Sequence, residues 1–148
     1  MQPRRPFQFR IATLMATVAL AALAANWYAR HRLIAAERTA EHNYILAASK
    51  YDVGTGLADA VHSTSVAWLN SALAVPNGEA APAYAEHLRR MKRLESKERS
   101  FLNSGTWGSS IFDGGLERRI AKAAAWREEA EMWLSGWSSN QRRHTPKN

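Results

Sequence analysis

Nineteen consecutive uncharged residues, from Ile11 to Ala29, constrain this chain more than any other feature in it. Through Ala25 the stretch is built from Ile, Leu, Met, Val and Ala, with only Thr13 and Thr17 as polar members. As a helix it would run roughly 28 Å at about 1.5 Å per residue, close to a hydrocarbon core of about 30 Å. Arg4, Arg5 and Arg10 precede it, and Trp27, Tyr28, Arg30, His31 and Arg32 follow, as an interfacial aromatic and basic collar would. The pattern therefore predicts a retained transmembrane helix over 11–29, a signal-anchor in a single-pass protein of the cell membrane. Arg4, Arg5, Arg10, Trp27, Tyr28, Arg30 and Arg32 are the membrane-interface residues of that reading. The signal-like order of basic flank and apolar run predicts that the bulk of the chain lies on the non-cytoplasmic side.

A cleaved export signal competes with the anchor. Arg4 and Arg5, the apolar run and the triplet Ala22-Leu23-Ala24 fit a cleavage template, and the stretch with Arg4, Arg5 and Phe7 resembles a twin-arginine signal. Gln8 departs from that pattern where a leucine is usual. The apolar run continues past Ala24, and the aromatic collar has a role only if it is kept.

Net charge is +7, which raises the question of nucleic acid. Between Arg30 and Trp137, however, 14 Lys and Arg face 13 Asp and Glu, so the excess belongs to the two ends. Nucleic-acid binding is accordingly not expected. With no cysteine, disulfides, thiolate metal sites and a thiol nucleophile are excluded.

Behind the apolar segment the hydrophobic spacing predicts an all-α fold, an antiparallel helical hairpin or four-helix bundle, over 30–137. The first helix, about 30–52, is expected to continue directly from the apolar segment; it places Leu33, Ala36, Ala40, Tyr44, Ala47 and Tyr51 inward, and ends at Gly54, with Thr55 able to cap the second helix. That second helix, about 57–75, carries Leu57, Val61, Thr64, Trp68, Ser71 and Val75 at coiled-coil-like steps of four and three. It ends at Pro76-Asn77-Gly78. The third, about 81–102, turns Tyr84, Leu88, Met91, Leu94, Glu98 and Phe101 inward. A Gly- and Ser-rich loop over 103–115 comes next, with Trp107, Ile111 and Phe112 expected to fold back on the bundle. The fourth, about 116–137, aligns Leu116, Ile120, Ala123, Arg127, Ala130, Leu134 and Trp137. Residues 138–148 read as a disordered basic tail.

The turn carrying Tyr51, Val53, Gly54 and Thr55, followed by Asp59 and Val61, resembles the helical-hairpin tip of TolC-like outer-membrane efflux proteins. The likeness covers residues 48–72. In that family the aspartate would fall at the position of Ala60, one place beyond Asp59. The resemblance implies a helix–turn–helix hairpin with tip contacts to another envelope protein through Tyr51 and Asp59. It does not extend to the family's β-barrel, for which the chain has no strands. The overall layout, opening on Phe7-Gln8-Phe9-Arg10, also resembles short uncharacterised bacterial single-pass membrane proteins with a helical extramembrane region.

No pattern here carries catalysis, and no cofactor, metal or small-molecule substrate is expected. Asp59 and His62 share a helix face, but a carboxylate di-metal bundle needs a second such pair and two further glutamates, so both are read as surface residues. Glu37, Glu41 and His42 read as a solvated face. Arg89, Arg93 and Lys97 line one side of the third helix, where they could meet anionic lipid or nucleic acid. The pairs Glu86–Arg90 and Glu95–Arg99 favour a simple exposed helix instead. Trp126, Trp133 and Trp137 form a ridge facing the core or a partner. The expected function is a membrane-anchored scaffold or protein-interaction module of the bacterial envelope, not an enzyme, whose partner is another envelope protein or itself. The alternatives are an exported binding module freed near Ala24 and a cytoplasm-facing regulator with its basic helix on lipid or nucleic acid.

Overall fold

A computed structural model describes residues 5–76, 78–104 and 115–144. Four α-helices make up the described chain: α1 (Arg5–Asp52), α2 (Ala58–Ala74), α3 (Ala80–Ser104) and α4 (Gly115–His144). They form two helical hairpins, α1 on α2 and α3 on α4, joined mainly where α2 meets α3. The expected all-α bundle is present, and the apolar segment runs on into its first helix as expected. The apolar segment and the first bundle helix are one uninterrupted helix of 48 residues, about 70 Å long.

The expected single-pass anchor and cell-membrane localisation are overturned: among the described residues no helix is long and apolar enough to cross a membrane. Composition supplies the reason. Eight of the nineteen residues from Ile11 to Ala29 are alanine, and Thr13, Thr17 and Asn26 are polar. Alanine offers little apolar surface, so a run this rich in it gains much less from hydrocarbon than the same length of leucine. Arg10 and Arg30 then bound the run on both sides.

The turn between α1 and α2 rests on two glycines. Gly54 adopts φ +79°, the left-handed conformation that ends helices, and its N–H donates to the Tyr51 carbonyl at 3.0 Å. The N–H groups of Thr55 and Gly56 both donate to the Lys50 carbonyl at 2.9 Å. Thr55 does not cap α2. Its hydroxyl turns back to the Lys50 carbonyl, and Leu57 stands at the N-cap without a side-chain hydrogen bond. Gly56 carries a constraint of a different kind, since a Cβ there would lie 2.6 Å from the Tyr51 backbone nitrogen. Gly54→Val is expected to cost about 1–2 kcal/mol through its backbone conformation. Gly56→Ala should cost a similar 1–3 kcal/mol or so through overpacking, with no strain in φ. Urea unfolding of both variants checks this; stability unchanged in G56A would show that the turn yields freely.

Two apolar clusters hold the hairpins together. One gathers Trp68, Leu69, Ala72 and Ala83, with Ala40, Tyr84 and Trp133 against it. The other gathers Tyr51, Val61 and Leu94, with Tyr44, Ala47, Phe101 and Trp126 alongside. Ala123 and Ala130 are buried on α4, where small side chains let α3 approach closely. The α2 stripe is rotated from its expected phase: Ser65, Leu69 and Ala72 are buried with Val61 and Trp68, while Leu57 is 73% exposed. α4 continues through Ser138 to His144, residues that composition assigned to a tail. The expected folding-back of Trp107, Ile111 and Phe112 lies outside the described residues.

Candidate functional site

The seam between the hairpins is unusually polar for the interior of a small bundle. At its centre is Arg90, 4% exposed, on the inner side of α3. Its guanidinium lies between the rings of Tyr44 and Trp68, 3.9 and 3.8 Å from their centroids. Nε donates to Glu86 at 2.9 Å, and Nη2 donates to both carboxylate oxygens of Glu41 at 2.9 and 2.7 Å. One side chain thus ties α1, α2 and α3 together. Planar charge, stacked faces and a forked donor set are properties of arginine that lysine lacks. Hydrogen bonds from Arg89 and Arg90 hold the Glu86 carboxyl down at about 2. The stability this contributes is present above the ordinary carboxylate pKa and is lost only as pH falls from about 4.5 towards 2.

One turn before Arg90, His87 is 1% exposed and shares a 2.9 Å hydrogen bond from Nδ1 with the Oγ of fully buried Ser65. Trp133 stacks on His87 at 5.5 Å, and Trp126 stacks almost parallel on His62 at 4.3 Å. Burial pushes the His87 imidazole down to about 4 and lowers His62 as well. A serine beside a histidine resembles part of a nucleophilic site, but Ser65 is sealed from substrate and the pair serves packing. Asp59 and His62 do not act together: Asp59 pairs with Lys122 of α4 while His62 faces Trp126. Among the described residues no three His, Cys, Asp or Glu converge as a metal site would need.

Further along α3, Glu98 is fully buried and accepts a 2.9 Å hydrogen bond from Arg119 Nη2. Its second oxygen and the Tyr51 hydroxyl are both buried without hydrogen-bond geometry to any described group. Burial pushes the Tyr51 phenol up, and neighbouring Glu98 raises it further. The solvent-facing arginines and lysine of α3 are not a free cationic surface. Arg89 pairs with Glu86, while Arg93 and Lys97 both pair with Asp52 of α1.

At the edge of the seam, an open groove of about 700 Å³ runs between α1 and α3, lined by Ile34, Glu37, Arg38, Glu41, His42, Ile45, Trp68, Glu86 and Arg90. Glu41, read from sequence as solvated, is therefore an inter-helix partner. Beyond this groove the N-terminal part of α1 carries most of the exposed large hydrophobics among the described residues. Ile11, Leu14, Met15, Val18, Leu20, Leu23, Trp27 and Tyr28 are each 50–66% exposed. Ile11, Leu14, Val18, Ala21, Ala25 and Tyr28 recur at steps of three and four, a heptad seam along the helix.

The sequence-derived interface residues fall on this arm. Trp27 and Tyr28 lie exposed in mid-helix, Trp27 against His31 at 4.1 Å, with Arg30 and Arg32 exposed beside them. Arg5 and Arg10 belong to the same helix, and Arg4 lies outside the described residues. Of the turn residues, Tyr51 is buried, Gly54 is the helix terminator and Asp59 is a surface ion-pair partner. Sequence reasoning missed Arg90, His87 and Ser65 as seam residues. None of the three falls on the inner stripes expected from sequence, and the i, i+4 pairing of Glu86 with Arg90 pointed to an exposed helix face instead. No protein family, curated protein or solved structure was found to match the chain.

Proposed function

We propose that the protein is a non-catalytic helical scaffold that assembles through the apolar arm of α1. The observation behind this reading is the exposure of Ile11 to Tyr28 on a helix already rooted in a bundle. Contiguous exposed apolar surface of this kind marks an interaction site, and a helix apolar on several faces is normally covered. The heptad seam is self-complementary between identical helices in register, and the absence of charge from Ile11 to Ala29 removes like-charge repulsion along it. A second copy of the chain is therefore the occupant the arm suits best. The interior supports a scaffold role as well, because its polar residues are committed to holding helices to one another.

Sedimentation equilibrium of the full chain and of the Leu14→Glu/Val18→Glu variant tests this. Both residues lie on the seam and are 63% and 60% exposed, so the bundle should retain its circular dichroism and melting curve. The parent chain is expected at a multiple of 16.5 kDa and the variant at the single-chain mass. A parent chain that stays at the single-chain mass, or a variant that assembles equally well, would overturn the reading.

A further inference from the structure

We propose that the seam between the two hairpins is an acid-sensitive latch: protonation of the His62–His87 pair separates α1–α2 from α3–α4. His62 comes from one hairpin and His87 from the other, with ring centroids 6.5 Å apart. Each is clamped by a tryptophan of α4, and His87 also holds Ser65 of α2. A charged imidazole must donate from both nitrogens, and the buried His62 Nε2 has no acceptor among the described residues.

The charges around the pair set the direction. Facing His62 are Asp59 of α2 and Glu129 of α4, which favour its cation, and Lys122 of α4, which opposes it. Facing His87 are His62 and Arg90, both opposing. From α1, Glu41 reaches the seam only by engaging Arg90. The two tryptophan faces can attract a cation, but two cations side by side next to Arg90 repel. His87 thus carries the larger effect.

Because the folded pKa of His87 lies below that of an unfolded histidine, the closed state is favoured above about 6.5 and loses that advantage as pH falls towards 4. From this residue alone the open population should rise about 20-fold between pH values of about 7 and about 5. Glu86 stays ionised throughout that window, so its ion pairs do not cause the change.

The chain has no cysteine, so spin labels can be placed cleanly at Ser63→Cys on α2 and Ser96→Cys on α3, both exposed. A second, longer inter-label distance is expected to appear as the sample is acidified through this window, and to be lost in His62→Gln/His87→Gln. A single distance throughout, or the same pH course in the double variant, would overturn the latch. Should the double variant fail to fold, ring-proton NMR of the unsubstituted chain decides. A His87 that titrates well below its free value, in step with opening, supports the latch. A His87 that titrates like free imidazole in a closed bundle overturns it.

Discussion

Arg90→Gln is expected to lower the free energy of unfolding by about 3 kcal/mol, measured by urea denaturation followed by far-ultraviolet circular dichroism. The substitution removes two contacts to carboxylates and two ring faces at once. Breaking a buried pair from one side costs about 3–5 kcal/mol because the remaining charge loses its partner. Here Glu41 and Glu86 are about a third exposed and can rehydrate, so the lower end applies. Arg90→Lys should recover less than half of the loss, since an ammonium cannot reproduce the fork or the stacking. A loss below about 1 kcal/mol in Arg90→Gln would show that the buried guanidinium is tolerated rather than required.

Arg119→Ala should be nearly as damaging, at about 2–3 kcal/mol, although Arg119 is a third exposed. The cost arises at Glu98, which is fully buried and left with a desolvated carboxylate. Neutralising that carboxylate should therefore rescue the variant: Glu98→Gln in the Arg119→Ala background is expected to regain more than half of the lost stability. A double-mutant cycle measures this coupling directly. Simple additivity of the two substitutions would mean that Arg119 contributes only through packing of its aliphatic stem.

Local features of the fold were legible because local physics sets them. Gly54 needs no long-range information to end a helix, and Pro76 with Gly78 closes α2 where expected. Ala40, Tyr44, Ala47 and Tyr51 fall on the inner side of α1, and Ala123 and Ala130 on that of α4, because helical periodicity fixes which residues share a face. Arg90 was out of reach by the same reasoning. Its Glu86 partner is one turn away and visible, but the Glu41 contact spans 49 residues, and a buried arginine looks like a solvated one in a row of bases. Ser65 was hidden by the small phase rotation of α2, and His87 lies one residue off the inner stripe expected for α3 at Leu88. The apolar segment misled because an uncharged run and a membrane-competent run differ in the kind of apolar residue, not in the absence of charge. Its continuity with the bundle was legible, since nothing between Ala29 and Leu33 breaks a helix.

That continuity has a geometric consequence. With arm and head on one unbroken helix, the compass bearing of the arm's heptad seam is locked to that of Glu41 and Tyr44 at the Arg90 junction. Each residue between them advances the bearing by about 100°. Inserting a single residue between Arg30 and Leu33 would leave both regions intact yet swing the head about 100° around the arm. Residue count, rather than any contact, sets which way the bundle faces.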